Sequence, residues 1–200
     1  MTVSVLGAGG HAKVVIATLQ AAGHEVRAVY DDAPDTHGTA VLGVPVLGST
    51  VQASGRVVVA VGANAIRQRV VMGLGHQVEW VAAIHPNAIV HPSACIGPGA
   101  VVFAGAVVQP NGIVGAHAII NTGASVDHDT EVGAFAHVAP GVRLAGGVRL
   151  GEGAFVGIGA SAVPGVSIGA WATVGAGAVV IQDVLGGQTV VGVPARPLDP

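Results

Sequence analysis

From Ile84 onward every sixth residue of the chain is aliphatic. The run passes through Ile84, Val90, Ile96, Val102, Val108, Val114, Ile120, Val126, Val132, Val138, Leu144, Leu150, Val156, Ala162, Ile168, Val174 and Val180 with no insertion. Four residues after the aliphatic comes a small or β-branched one, as at Ala94, Ala100, Ala106, Gly112, Ala118, Ala124, Thr130 and Ala136. Glycine often follows the aliphatic directly, as at Gly97, Gly115, Gly133, Gly151, Gly157, Gly169 and Gly175. A helix repeats every 3.6 residues and a strand every two, so a period of six belongs to neither alone. It fits a three-sided parallel β-helix in which each hexapeptide makes one side. Each aliphatic then points inward, small residues let the chain round the corner, and the glycines supply the unusual φ needed there. The run makes about five coils, and stacking at roughly 4.8 Å gives a prism about 25 Å tall. Such a repeat specifies a scaffold and leaves the function to its side chains.

The composition agrees with a narrow, regular interior. Hydrophobic residues make up 51% of the chain, yet aromatics are only 3% and glycine occupies 32 positions, so Val, Ile and Ala fill the core in place of large rings. Charged residues are 10%, against about 25% in a typical domain, which implies that sister subunits cover part of the surface. The net charge of −3, with Lys13 the only lysine, gives no basic footprint for nucleic acid. Cys95 is the single cysteine, which leaves no internal disulfide and reads as a small buried hydrophobe rather than a nucleophile. No charged segment followed by an apolar one marks a signal peptide, and the apolar runs are too short to span a bilayer. The expectation is a soluble cytoplasmic protein with no membrane association.

Residues 1–83 read differently, as a Rossmann-like α/β half domain ahead of a β-helical domain at 84–200. A buried strand at 3–6 leads into Gly7-Ala8-Gly9-Gly10-His11 and a helix at 12–22; a second strand at 26–30 ends on Asp31-Asp32. A further strand is expected at 57–61, then Gly62 and a helix at 64–72. Gly7, Gly9 and Ala12 satisfy G-x-G-x-x-A at a strand-to-helix turn, where backbone N–H groups can approach a phosphate. The acidic pair about 20 residues on stands where a ribose or base can be hydrogen-bonded. A purely structural tight turn would use the same glycines. Because about 80 residues supply one mononucleotide half, the pattern favours a nucleotide sugar over a dinucleotide.

Several segments resemble bacterial hexapeptide-repeat sugar acetyltransferases, the family of sialic acid O-acetyltransferases and of N-acetyltransferases for nucleotide-linked 4-amino sugars. They are GAGGHAKVV at 7–15, Asp31-Asp32, AVGANAIR at 60–67, AIHPNA at 83–88, INTGASVDHD at 120–129, FAHVAPG at 135–141 and GVPARP at 192–197. Within the family the chain is most similar to N-acetyltransferases for a GDP- or UDP-linked 4-amino-4,6-dideoxy sugar. The resemblance implies a left-handed β-helix, an exception to the right-handed crossover rule. It also implies a homotrimer with active sites between neighbouring prisms and acetyl-CoA lying along the β-helix. By matching positions, Gly9, Gly10, His11, Asp31, Asp32 and Gly62 would contact the nucleotide sugar. His128 would be the catalytic base with Asp129 raising its basicity, and His137, Gly146 and Ile158 would contact acetyl-CoA. The family's usual lysine in the GVPA tail is Arg196 here, which keeps the charge and changes the donor geometry.

Acetyl transfer from a thioester to an amine needs a proton acceptor and donors for the tetrahedral oxyanion. Histidine suits the first task, Asp127 or Asp129 can fix the tautomer of His128, and a backbone N–H such as that of Gly146 can serve the second. His24, His37, His76 and His117 carry no such signal and read as structural. No metal is expected: the nine histidines lack the close pair and distant third of the β-helical zinc enzymes. Acyl-carrier-protein-dependent acyltransferases also join a nucleotide-reading domain to such a helix, but carry a helical C-terminal extension that has no counterpart here. The remaining alternatives are sugar O-acetylation and a non-catalytic nucleotide-sugar sensor.

Overall fold

The computed structural model describes residues 1–198, without the side chain of His76, so the structural reading of that histidine lies outside the described residues. The N-terminal part is a six-stranded sheet with helices on its faces. Its elements are β1 (Thr2–Leu6), α1 (Gly10–Ala21), β2 (Glu25–Tyr30), β3 (Ala40–Val41), β4 (Val44–Gly48), β5 (Gly55–Val59), α2 (Asn64–Leu74) and β6 (Val78–Trp80). The strand order is β3-β4-β2-β1-β5-β6, parallel except for the β3–β4 hairpin. The chain leaves β1 towards β2 on one side and later returns to β5 on the other. The carboxyl ends of β1 and β5 therefore form the switch point at which such sheets bind ligands. Relative to the sequence expectation, α1 begins two residues earlier, and the strand ends at Val59 so that Ala60 and Val61 lead out of the sheet towards Gly62.

The remainder is a left-handed parallel β-helix of two-residue strands. Its first face begins at Ala83–Ile84 and stacks Val101–Val102, Ile119–Ile120, His137–Val138, Phe155–Val156, Thr173–Val174 and Thr189–Val191. The second face runs from Ile89–Val90 to Val179–Val180 and the third from Cys95–Ile96 to Ser167–Ile168. Cys95 is exposed rather than buried, because it is the first, outward-pointing residue of its strand. The third face has the expected five strands, while the first has seven parallel ones, for a height nearer to 29 Å at the same ~4.8 Å spacing. The second residue of each strand points inward, and from Val102 to Val180 these aliphatics form one continuous core.

The corners correct one expectation about glycine. From Gly99 to Gly177 every sixth residue has φ between 56° and 76°, three positions after the aliphatic rather than one. The glycines directly after the aliphatic do something else: a Cβ on Gly115 would lie 2.6 Å from the backbone nitrogen of Ala134 in the next coil, so those glycines permit close stacking. The left-handed position is glycine throughout the edge between the first and second faces, from Gly105 to Gly177. Other side chains occupy it on the other two edges. Asn111 and Asp129 stand between the second and third faces, and His117, Phe135 and Trp171 between the third and first. A bulky residue with φ > 0 is uncommon and carries strain that its surroundings must support.

The first-face edges are where the N-terminal part docks. Outward-facing Ala83, Val101 and Ile119 share a buried cluster with Val15, Ile16 and Leu19 of α1. Phe135 joins Leu6, Ala28, Val57, Val71 and Leu74. His117 stacks on Phe135 with ring centroids 5.2 Å apart and receives Trp80 edge-on at 4.8 Å. Burying strained corners under the N-terminal part removes apolar area from water, which offsets the backbone cost. No described helix is long and apolar enough to cross a membrane.

Candidate active site

At the switch point a cavity of about 140 Å³ is lined by Gly7, Asp31, Asp32, Thr50, Val61, Ile66 and Val70. Gly7 has φ +106°, and a Cβ there would lie 3.0 Å from the Ala60 carbonyl oxygen, so only glycine lets β1 turn this close to the chain leaving β5. Gly9 and Gly10 face open space at the start of α1. That helix has no side-chain cap and no acidic residue in its first turn, leaving an electropositive end that faces open space. Both acids are already committed within the fold. Asp31 accepts from the Ala8 and Ala33 N–H groups at 2.6 and 2.8 Å. Asp32 accepts from the hydroxyls of Ser49 and Thr50 and from the Thr50 N–H. The Ser49 hydroxyl bond, and then those from Thr50, hold the Asp32 carboxyl below its ordinary value. Any ligand therefore meets carboxylates whose orientation the protein has set in advance.

A second cavity, about 290 Å³, opens between Gly62, Ala63, Asn64 and Ala65 on one wall and Gly153, Phe155, Trp171 and Thr173 on the other. His137, Phe155 and Thr173 are successive outward residues of the first face, so this wall is the part of the face that α1 leaves uncovered. His137 is buried at the junction. Its Nδ1 lies 3.2 Å from the Gly62 carbonyl and its Nε2 3.1 Å from Asn121 Nδ2. The His11 ring sits 6.2 Å from it, with a buried Nε2 that has no partner among the described residues. Burial, and then the nearby Arg67 cation, push the pKa of both rings down to about 4. An orphaned imidazole nitrogen beside the open Gly62 turn suits a ligand group that completes its hydrogen bonding.

His128 lies on another edge of the prism, between the second and third faces, and is exposed. Its Nδ1 is 2.8 Å from Asp129 Oδ2, and its backbone N–H donates to Asp127 at 2.7 Å. Asp129, in the left-handed position, also accepts from Asn111 Nδ2 of the coil below at 3.0 Å. The Asp129 bond, assisted by the charges of Asp127 and Asp129, raises the His128 pKa. With Nδ1–H given to the carboxylate, Nε2 carries the free lone pair, and it lies above Gly146: a Cβ on that residue would be 2.5 Å from it. The Gly146 N–H donates to no protein group among the described residues. An imidazole nitrogen with a free lone pair and a free N–H thus stand side by side.

The structure brings the sequence-predicted residues together in groups. Asp31 and Asp32 line the N-terminal cavity, Gly9 and Gly10 face open space at the start of α1, and His11, Gly62 and His137 meet at the junction with the β-helix. His128, Asp129 and Gly146 form the second group. Ile158 is exposed on the edge between the first and second faces, and Arg196 is exposed in the terminal strand Arg196–Pro197 that pairs with Thr189–Val191. Within one chain the His128 edge and the cavity of the first face are not joined. Sequence reasoning missed Asn64, Arg67, Asn111, Asn121 and Trp171. For Asn111 and Trp171 a signal existed, since each stands at the sixth-residue position that glycine otherwise fills.

The family model described as the PglD N-terminal domain matches residues 2–74. A histidine variant of perosamine N-acetyltransferase from Caulobacter crescentus, solved with CoA and GDP-perosamine, is similar over the whole chain. Identity is 44%, coverage 100% of this chain and 98% of that one, and the TM-score 0.95. The acetyltransferase domain of PglB from Neisseria gonorrhoeae FA1090 in complex with acetyl coenzyme A shares 40% identity, with 98% of each chain covered and a TM-score of 0.92. WeeI from Acinetobacter baumannii AYE is 27% identical, with 99% and 100% covered and a TM-score of 0.86. Among curated proteins no match was found.

Proposed function

We propose that this chain, which belongs to the hexapeptide-repeat sugar acetyltransferases, transfers the acetyl group of acetyl-CoA to the 4-amino group of a nucleotide-linked 4-amino-4,6-dideoxy sugar. The observation that carries the reading is the full-length likeness to perosamine N-acetyltransferase solved with CoA and GDP-perosamine. A GDP-linked sugar is accordingly the first substrate to try, with acetyl-CoA, a cytoplasmic metabolite, as donor. In the reaction the amine nitrogen bonds to the thioester carbon and the carbonyl oxygen takes negative charge. His128 Nε2 accepts the amine proton, the C–S bond breaks, and the proton passes to the coenzyme thiolate. Asp129 holds the imidazole with Nδ1 protonated and stabilises the imidazolium that forms. The Gly146 N–H faces the oxyanion.

Gly9, Gly10, His11, Asp31, Asp32 and Gly62 would hold the nucleotide sugar, and His137, Gly146, Ile158 and Arg196 the coenzyme. The helix N-terminus and the orphaned His11 nitrogen support the first assignment. Because the His128 edge and the first-face cavity are separate in one chain, we place the complete site between subunits of a homotrimer. The exposed Ile89 and Ile113 on the second and third faces support covered flanks. Sedimentation equilibrium at micromolar concentration is expected to give three chains per particle, and a monomer would remove the shared site.

A thermal-shift panel of GDP-, UDP-, dTDP- and CMP-sugars, followed by acetyl-CoA turnover with the stabilising nucleotide, tests the function, since only a ligand of the native state raises the melting temperature. Turnover of the 4-amino sugar is expected; turnover of only a 4-hydroxy analogue would point to O-acetylation, and binding without turnover to a sensor.

Asp129→Asn gives the pH test. Only unprotonated His128 acts as base, so activity falls as pH drops through its raised pKa. Asparagine removes the main cause of that rise while tolerating the left-handed backbone. The acid limb of kcat is therefore expected to move to lower pH, with a slower plateau above it. An unmoved limb in a pH–rate profile would detach Asp129 from the base.

A further inference from the structure

Arg67 of α2 is 1% exposed, yet among the described residues no carboxylate pairs with it. A guanidinium has five N–H donors, and here each finds an oxygen. Nε–H donates to the His117 carbonyl at 2.9 Å, and Nη1 to the carbonyls of Val61 and Gly62 at 2.9 and 3.1 Å. Nη2 donates to Asn64 Oδ1 at 2.9 Å and to the Phe135 carbonyl at 2.6 Å. The cation thus ties the Gly62 turn to two strained corners of the β-helix, while Asn64 reaches the Gly153 carbonyl on the opposite cavity wall at 2.9 Å. The fork leaves no donor over.

The chain of bonds continues past Gly62 and fixes a proton. Thr122 N–H donates to Asn121 Oδ1 at 2.8 Å, so the side-chain amide is oriented with Nδ2 towards His137 Nε2. Nε2 must accept, and Nδ1 must carry the hydrogen that goes to the Gly62 carbonyl. That oxygen takes one hydrogen from His137 and one from Arg67. A proton on Nε2 would point at an amide that also donates, so the doubly protonated ring has no place. The charged and titratable groups facing His137 are Arg67 from α2 and His11 from α1.

We propose that Arg67 is a positioning residue which, with the Gly62 carbonyl and Asn121, holds His137 as the neutral imidazole protonated on Nδ1 at the wall where the two domains meet. Burial and the Arg67 charge act in the same direction on that ring. For its kinetic consequence the proposal rests on the acetyltransferase reading; its structural content does not.

Histidine-selective ¹³C and ¹⁵N NMR on the full-length, ligand-free protein tests it without turnover. In the wild type, His137 is expected to show the Nδ1–H pattern and no titration down to about pH 5. Asn121→Asp keeps the acceptor for Thr122 but presents a carboxylate to Nε2, so His137 is expected to titrate above its ordinary 6.5. Arg67→Met removes the charge and the fork, and both His11 and His137 should titrate higher; Arg67→Lys keeps the charge and should leave both low. On substrate, Arg67→Lys is expected to lower kcat/KM about 10- to 100-fold through lost charge-assisted bonds, mostly in KM. If Arg67→Met does not fold, Asn121→Asp carries the test. An Nε2–H pattern in the wild type, ordinary titration of His137, or an Asn121→Asp protein with unmoved titration would overturn the proposal, whatever the reaction proves to be.

Discussion

His128→Ala is expected to lower kcat by about 10²- to 10⁴-fold, the usual contribution of a positioned general base. The fold should not notice. The imidazole is exposed, and the inward row passes through Val126 and Val132 without using position 128. The bond lost is one surface contact to Asp129, and surface changes of this kind leave stability nearly unchanged. Steady-state kinetics with acetyl-CoA and the matched amino sugar, together with a melting curve, check both halves of the claim. Because the base acts in the transition state, kcat and kcat/KM should fall together. A variant that keeps more than about a third of wild-type kcat would take this residue out of the mechanism.

The repeat was the most legible part of the chain because a β-helix applies one local rule many times. Each inward aliphatic and each corner is an independent instance of the same steric demand, so the period shows without any long-range information. The role of the corner glycines was less legible. Two glycine positions exist for two reasons, close stacking and left-handed φ, and composition alone merges them. The β3–β4 hairpin was missed for a related reason. Its turn is Leu42-Gly43 with both φ values positive, and leucine gives none of the Asn-Gly or Asp-Gly signal of such turns.

The site was legible where one segment supplies it and not where two meet. His128 with Asp129 is local, and their contact follows from adjacency at a single corner. His137 was read as a coenzyme contact, but its buried position comes from the docking of residues 50 or more places away, as the Arg67 bond to the His117 carbonyl illustrates. Arg67 itself stood in the AVGANAIR segment with no pattern to separate it from a solvated helix residue. Only the packing of α2 against the β-helix makes its five donors necessary. Periodicity does offer one usable clue for sites of this kind: a non-glycine residue at a position that otherwise repeats as glycine marks a corner held by something else.

Gly146→Ala gives the second large effect, and it separates the placement of the base from its chemistry. Gly146 does not have a left-handed φ, so alanine meets no backbone strain. Its Cβ would lie 2.5 Å from His128 Nε2 and 2.6 Å from Cε1, closer than atoms can approach. The exposed ring can swing aside, and the melting temperature should therefore change by no more than about 2 °C, as for other surface changes in a chain of this size. The swung ring leaves Asp129 and loses its position over the Gly146 N–H. A misplacement of about 1 Å can cost about 10²-fold, so kcat is expected to fall by roughly that factor. The double variant His128→Ala, Gly146→Ala decides how the loss arises. If alanine acts by displacing the imidazole, the double variant should be no slower than His128→Ala alone, because the displaced group is already gone. If the glycine serves only the oxyanion or the coenzyme, the two losses should multiply. Wild-type kcat in Gly146→Ala would show that the imidazole does not act from above this glycine.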